Sequence, residues 1–143
     1  MERARRVLAI IGVVGCLGAA AAPAADLPGT GVDAGKTVVY RDTWGVPHLY
    51  APTVDAAMYA MGWTQAADRP EQLLRNFLLG MGELASVDGP GAVRADQASR
   101  IFAHYRKAKE LADDELSPEL RGYLRALVAG IRDYYGAHPE HLP

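Results

Sequence analysis

"YRDTWGVPHLYA", residues 40–51, is the stretch on which the fold turns. A β-branched and aromatic run, "TVVYR" at 37–41, leads into it and reads as a strand. Gly45 and Pro47 punctuate that run, and "HLYA" at 48–51 is short and extended. Together they predict a small hairpin, or a strand with a bent return. A two-stranded ribbon is marginal in water unless it packs on something or joins a larger sheet. Nothing else in the sequence reads as a third strand. Either helices cover the ribbon, or it belongs to a sheet whose other strands lie elsewhere.

From Thr53 onward the apolar period changes from two to about 3.6. Thr53 is placed to cap a helix carrying Val54, Ala57, Met58, Met61 and Gly62 along one side. Asp68, followed by Pro70 and Glu71, has a capping-box arrangement for a second helix, with Leu73, Leu74, Phe77, Leu78 and Met81 as its buried stripe. The Gly-rich segment 80–91 breaks the pattern, and a third helix is predicted over 94–113. Ser117-Pro118-Glu119 starts a fourth. Its stripe is Leu120, Tyr123, Leu124, Leu127, Val128, Ile131, Tyr134 and Tyr135, and Gly136 should close it. The fold class is mainly α with a short N-terminal β hairpin.

Upstream, residues 1–25 have the form of a secretion signal. Arg3, Arg5 and Arg6 form the positive end, Val7–Ala22 the apolar segment, and Ala22-Pro23-Ala24 the small-x-small cleavage pattern. The apolar run is shorter than the roughly 20 residues of a spanning helix. The expected location is periplasmic or secreted, with a mature N-terminus at or near Ala25. "VVGC" at 13–16 resembles a bacterial lipobox, so a membrane attachment exists only if Cys16 is lipidated. Residues 26–36 read as a flexible leader.

The 143 residues carry a formal charge of −2, and removing residues 1–24 takes away three Arg and one Glu, giving −4. With no basic stripe, nucleic acid is excluded as a partner. Cys16 is the only cysteine, so the mature segment has neither a disulfide nor a thiol nucleophile.

The segment 38–72, "VVYRDTWGVPHLYAPTVDAAMYAMGWTQAADRPEQ", resembles the start of the penicillin acylase (penicillin amidase) family of N-terminal nucleophile hydrolases. Arg41, Asp42, Gly45, Pro47, His48 and Ala51 match its first motif, and Tyr59, Gly62, Ala66, Asp68, Arg69 and Gln72 its second. "GMGELASVDG" at 80–89, "LSPELRGYLRALVAGIRDYY" and "HPEHLP" resemble three further motifs in the same order. Ala67, Pro70, Ser86 and Asp133 depart from the family pattern.

The resemblance implies an exported precursor that cuts itself into α and β chains. The β chain begins with the nucleophile, whose own α-amino group is the base. It implies hydrolysis of an acyl amide of penicillin, acyl-homoserine lactone or lipopeptide type. The fold it implies is an αββα sandwich, of which residues 37–143 form an incomplete N-terminal α-chain piece. The partners are then the β chain of the same precursor and a small acyl-amide substrate. No cofactor is expected in this segment, although the complete family fold can hold a calcium ion.

No catalytic, cofactor-binding or metal-ligating residue is assigned within the chain itself. Ser86, Ser99 and Ser117 follow Ala, Ala and Leu, not the Gly expected before a nucleophile released by cleavage. His138 and His141 have a spacing seen at metal sites, but Pro139 breaks a helix there and no third ligand stands out. Ser99, His104 and Asp96 could be drawn as a triad, yet they are short-range neighbours with no oxyanion hole suggested. His48 is read as structural, bonded into the sheet edge. Arg41–Asp42 and Asp68–Arg69 are read as charged pairs and caps, and Trp44 and Trp63 as core in preference to an acyl pocket. Two function classes follow: an amidase segment, inactive without its β chain, or a non-catalytic exported helical module derived from that family.

Overall fold

The computed structural model describes residues 36–142. The signal, Cys16 and the leader up to residue 35 lie outside the described residues. β1 (Val38–Arg41) and β2 (Pro47–Tyr50) form the expected antiparallel hairpin, with Val38 opposite Tyr50 and Arg41 opposite Pro47. Six helices follow: α1 (Val54–Asp68), α2 (Pro70–Met81), α3 (Ala85–Asp88), α4 (Val93–Phe102), α5 (His104–Asp114) and α6 (Pro118–Ala137). Short 3-10 turns cover Gly89–Ala92 and Pro139–His141.

Side-chain caps mark the starts of α1 and α6. Thr53 accepts from the Ala56 N–H and Ser117 from the Leu120 N–H, as their sequence positions suggest. Gly82 ends α2 in the left-handed conformation, with φ 74°, which glycine adopts without strain.

The structure corrects three local expectations. Asp68 is not the cap of α2: it is the last residue of α1, Arg69 occupies the cap without a side-chain bond, and the Asp68 carboxylate is taken by Arg41. The predicted helix over 94–113 is two helices, broken at Ala103 with φ 54°. No Gly or Pro marks that break, so the sequence could not announce it. Gly136 does not close α6, which continues to Ala137 with His138 as its cap.

The core is small. Ala66, Leu74, Ile131, Tyr134 and Tyr135 form it, with Trp63, Leu73, Leu127 and Leu142 packed around them. It joins α1, α2 and α6. Helices α1 and α6 cross at two glycines: a Cβ on Gly62 would lie 2.0 Å from the Leu127 carbonyl oxygen, and one on Gly130 2.0 Å from that of Tyr59. Only bare backbone allows so close an approach.

The predicted stripes are buried in part. Leu74 and Leu78 are inside, but Phe77 is 40% exposed. Ile131, Tyr134 and Tyr135 are inside, whereas Leu120 and Leu124, nearer the start of α6, are 43% and 37% exposed. Ile101 and Phe102 stand further out still. Both edges of the two-stranded sheet also lack a partner strand among the described residues.

Candidate functional site

The hairpin turn is built on Asp42. One carboxylate oxygen accepts from the Trp44 and Val46 N–H groups, both at 2.9 Å, and the other lies 3.2 Å from His48 Nε2. The Asp42 carbonyl accepts from the Gly45 N–H, and Gly45 takes φ 80°, a conformation that disfavours a side chain. Desolvation pushes the Asp42 carboxyl up, but the Val46 N–H, His48 and the Trp44 N–H outweigh it and hold it below its ordinary value. The carboxylate is the turn's organiser, and His48 is locked to it. The Nε2–Asp42 contact fits the structural role read from the sequence.

Arg41 ties this hairpin to the helices. Its guanidinium bonds both Asp68 oxygens, one of them at 3.3 Å, and also donates to the Gly45 carbonyl at 3.0 Å. The charged pairs are therefore crosswise. Arg41 pairs with Asp68 and Asp42 with His48, instead of the adjacent pairing the sequence suggests, and Arg69 donates to the neutral Gln72 amide. The Asp42 carboxylate is already engaged by the Trp44 and Val46 N–H groups and His48, while the Arg41 guanidinium reaches from the end of β1 to Asp68 at the end of α1.

Two phenols bind the helices together. Tyr59 donates to Asp133 at 3.1 Å, and Tyr135 to the Pro70 carbonyl at 2.6 Å. Burial and then the Asp133 carboxylate push Tyr59 up to about 12; burial, with Tyr134 beside it, does the same to Tyr135. An acid whose folded-state pKa is raised is held neutral by the fold. Its contribution is intact below the ordinary tyrosine value near 10 and is lost as the pH rises from there to about 12. Among the seven tyrosines, Tyr59 and Tyr135 should be the last to ionise in an absorbance titration. Urea midpoints should fall across the same window, less steeply in Tyr59→Phe and Tyr135→Phe. Ionisation of all the phenols together near 10 would contradict this.

At the far end of α6, Tyr134 sits among Trp63, His138 and His141. Trp63 meets it edge-on at 5.5 Å, and His141 stacks on it at 5.7 Å with Nδ1 2.8 Å from the phenol oxygen. Trp63 thus belongs to the core margin. Trp44, by contrast, is 86% exposed on the hairpin, so the two tryptophans do not share a pocket. His138, Glu140 and His141 bring donor atoms within 4.8 Å of one another. Glu140 is the third donor that sequence spacing did not single out. A calcium ion prefers about six to eight oxygen ligands, which this imidazole-rich group does not offer.

The drawn triad does not assemble. Both Asp96 oxygens accept backbone N–H groups, from Leu84 and Ala85 at 2.8 Å each, while His104 stacks on Phe102 beyond the α4 end. Ser86 donates to the Glu83 carbonyl and Ser117 caps α6. Asp96 is the buried polar residue whose role sequence reasoning missed: with Arg100, which donates to the Gly82 carbonyl at 2.9 Å, it pins the Gly-rich turn.

These joints fall on the residues of a known pattern, and comparison with known proteins agrees. A family model described as penicillin amidase matches residues 36–143. The chain belongs to the penicillin amidase family. It is 30% identical over 105 residues to the acyl-homoserine lactone acylase QuiP of Pseudomonas aeruginosa, covering 73% of this chain and 12% of that protein. The QuiP of Pseudomonas syringae pv. tomato gives 30% over 105 residues, 73% of this chain and 13% of that one. The penicillin acylase 2 proenzyme of Pseudomonas sp. strain SE83 is 32% identical over 96 residues, 67% of this chain and 12% of that protein. The chain spans about an eighth of the length of these relatives.

Proposed function

We propose that this chain is the N-terminal α-chain segment of an exported acylase of the penicillin amidase family, one that hydrolyses an acyl amide of acyl-homoserine lactone, penicillin or lipopeptide type. Its contribution is architectural. The single observation that carries this reading is where the family-matched residues sit. Asp42, Gly45 and His48 close the hairpin turn, Arg41 and Asp68 join the hairpin to α1, and Tyr59 and Gly62 join α1 to α6. None of them is arranged as a nucleophile with an adjacent base.

The β chain of the same precursor would supply the nucleophile and extend the hairpin into the αββα sandwich. Exposed large apolar residues on α4, α5 and the start of α6 favour this over a self-sufficient helical module, whose core would be expected to cover them. The names of the relatives point to acyl-homoserine lactone or penicillin amides as the first substrates to try. Export rests on the signal-like residues 1–25. Among the described residues no helix is long and apolar enough to cross a membrane.

A chimera tests the reading. Residues 36–143 should replace the matching segment of the Pseudomonas aeruginosa acyl-homoserine lactone acylase, and the product should be soluble, cut itself into two chains and release fatty acid. The chain alone should show no turnover on the same substrates. A soluble chimera that stays uncut would overturn the proposal. So would turnover by the chain alone that vanishes in Ser86→Ala, Ser99→Ala or Ser117→Ala.

A further inference from the structure

We propose that His138, Glu140 and His141 form a divalent transition-metal site of zinc type at the end of α6, independent of the acylase reading. The site is made by a local chain reversal. Helix α6 ends at Ala137, His138 caps it, and the 3-10 turn Pro139–His141 folds the two imidazoles face to face, 5.5 Å apart and 21° from parallel. Pro139, which breaks the helix, is what lets positions 138 and 141 converge. Glu140 then reaches back to His138 Nδ1 at 3.1 Å, and all three side chains offer a donor within 4.8 Å of the others.

Two imidazoles and a carboxylate are a borderline-soft set, suited to zinc, nickel or copper and poorly suited to calcium or magnesium. Three protein ligands with water in the fourth position is the usual open zinc arrangement, with bonds of about 2.0–2.2 Å. The His138 and Glu140 side chains are 41% and 61% exposed, so rotation of these two can bring their donors onto an ion held by His141.

The outer contacts are in place as well. Tyr134 Oη lies 2.8 Å from His141 Nδ1, and the tautomer in which Nδ1–H donates to the phenol oxygen leaves Nε2 as the lone-pair donor to a metal. Tyr134 is itself buried, at 5% exposure, and wedged against Trp63 and Tyr135, so it fixes the His141 ring from a rigid base.

The test is calorimetric titration of the full, untagged chain with zinc chloride at neutral pH. One zinc per chain is expected, lost in His138→Asn and in His141→Asn and weakened in Glu140→Gln. Tyr134→Phe, which keeps the ring but removes the hydroxyl, should weaken binding about tenfold. His48→Asn with His104→Asn, which removes the other two of the four histidines, should leave binding unchanged. Circular dichroism establishes that each variant is folded. Absence of saturable binding, binding that persists in a His138→Asn/His141→Asn variant, or equal binding by the urea-unfolded chain would overturn the proposal.

Discussion

Gly62→Ala and Gly130→Ala should each destabilise the chain by roughly 3 kcal/mol or more, at or beyond the upper end of ordinary overpacking. A methyl at either position would sit 2.0 Å from a carbonyl oxygen of the opposite helix, Leu127 or Tyr59. That oxygen is backbone, already held in a helical hydrogen bond, and cannot swing aside as a flexible side chain would. The helices must move apart instead. Separation would loosen Ile131 and Tyr134 against Ala66 and lengthen the Tyr59–Asp133 bond, so the loss spreads beyond the contact itself. The double variant should cost less than the sum, because helices forced apart by one methyl have room for the other. Gly80→Ala and Gly136→Ala are the matched controls: both are helical and neither Cβ meets an atom within 4 Å. They should leave stability unchanged or raise it by about 0.5–1 kcal/mol, the ordinary cost of glycine in a helix. Urea midpoints decide the matter. A Gly62→Ala protein as stable as Gly80→Ala would mean that the crossing is not the joint it is taken to be.

That crossing also shows what the sequence could and could not reveal. Periodicity placed Gly62 on the apolar side of α1, and the stripe of α6 ran past Gly130, so the two helices were legible. The facing side of α1 was legible only in part: Gly62 is buried, but Val54 is 52% exposed and Ala60, Thr64 and Ala66, which the pattern did not name, are inside. The separation of the two helices was not legible, because closeness at one glycine depends on which residue of another helix lies opposite. The hairpin was legible for the same local reasons, since a β-branched run, Gly45 and Pro47 act within a few residues. Asp68 was misread because a good local cap was available on paper. A guanidinium 27 residues earlier offers that carboxylate a bidentate partner, and a charge-assisted pair outcompetes one backbone N–H. Ala103 was invisible, since alanine adopts a left-handed conformation only when its surroundings impose it.

The candidate sites divide along the same line. His48 could be read as structural because its partner is six residues away on the same turn. The meeting of His138 and His141 was visible as a spacing, but Glu140 gained its place only once the 3-10 turn had set its direction. Tyr134 as their support could not be read at all: on the sequence it is one apolar position among eight. The exposed half of that stripe carries a further lesson. Leu120 and Leu124 keep the helical apolar period yet face water.

Asp96→Ala should cost about 2–3 kcal/mol, the loss of two charge-assisted hydrogen bonds to backbone donors. Asp96 is only 6% exposed, and its two oxygens are the side-chain partners of the Leu84 and Ala85 N–H groups at the start of α3. Those amides are among the donors a helix start leaves unsatisfied, and α3 is too short to stabilise itself by propagation. Removing the carboxylate therefore does more than delete two bonds. It frees the turn between Gly82 and Val93, and with it the Arg75–Asp88 ion pair at 3.1 Å that ties this turn to α2. Asp96→Asn should lose about half as much, since one amide oxygen can still accept while the amide nitrogen confronts the second N–H. The damage should stay local: hydrogen exchange should quicken over 83–92 while α1 and α6 keep their protection, because the core of Ala66, Ile131 and Tyr135 does not include this turn. An Asp96→Ala chain within about 0.5 kcal/mol of the parent, with unchanged exchange over 83–92, would show that water replaces the carboxylate and that the turn is held by Arg100 and Gly82 alone.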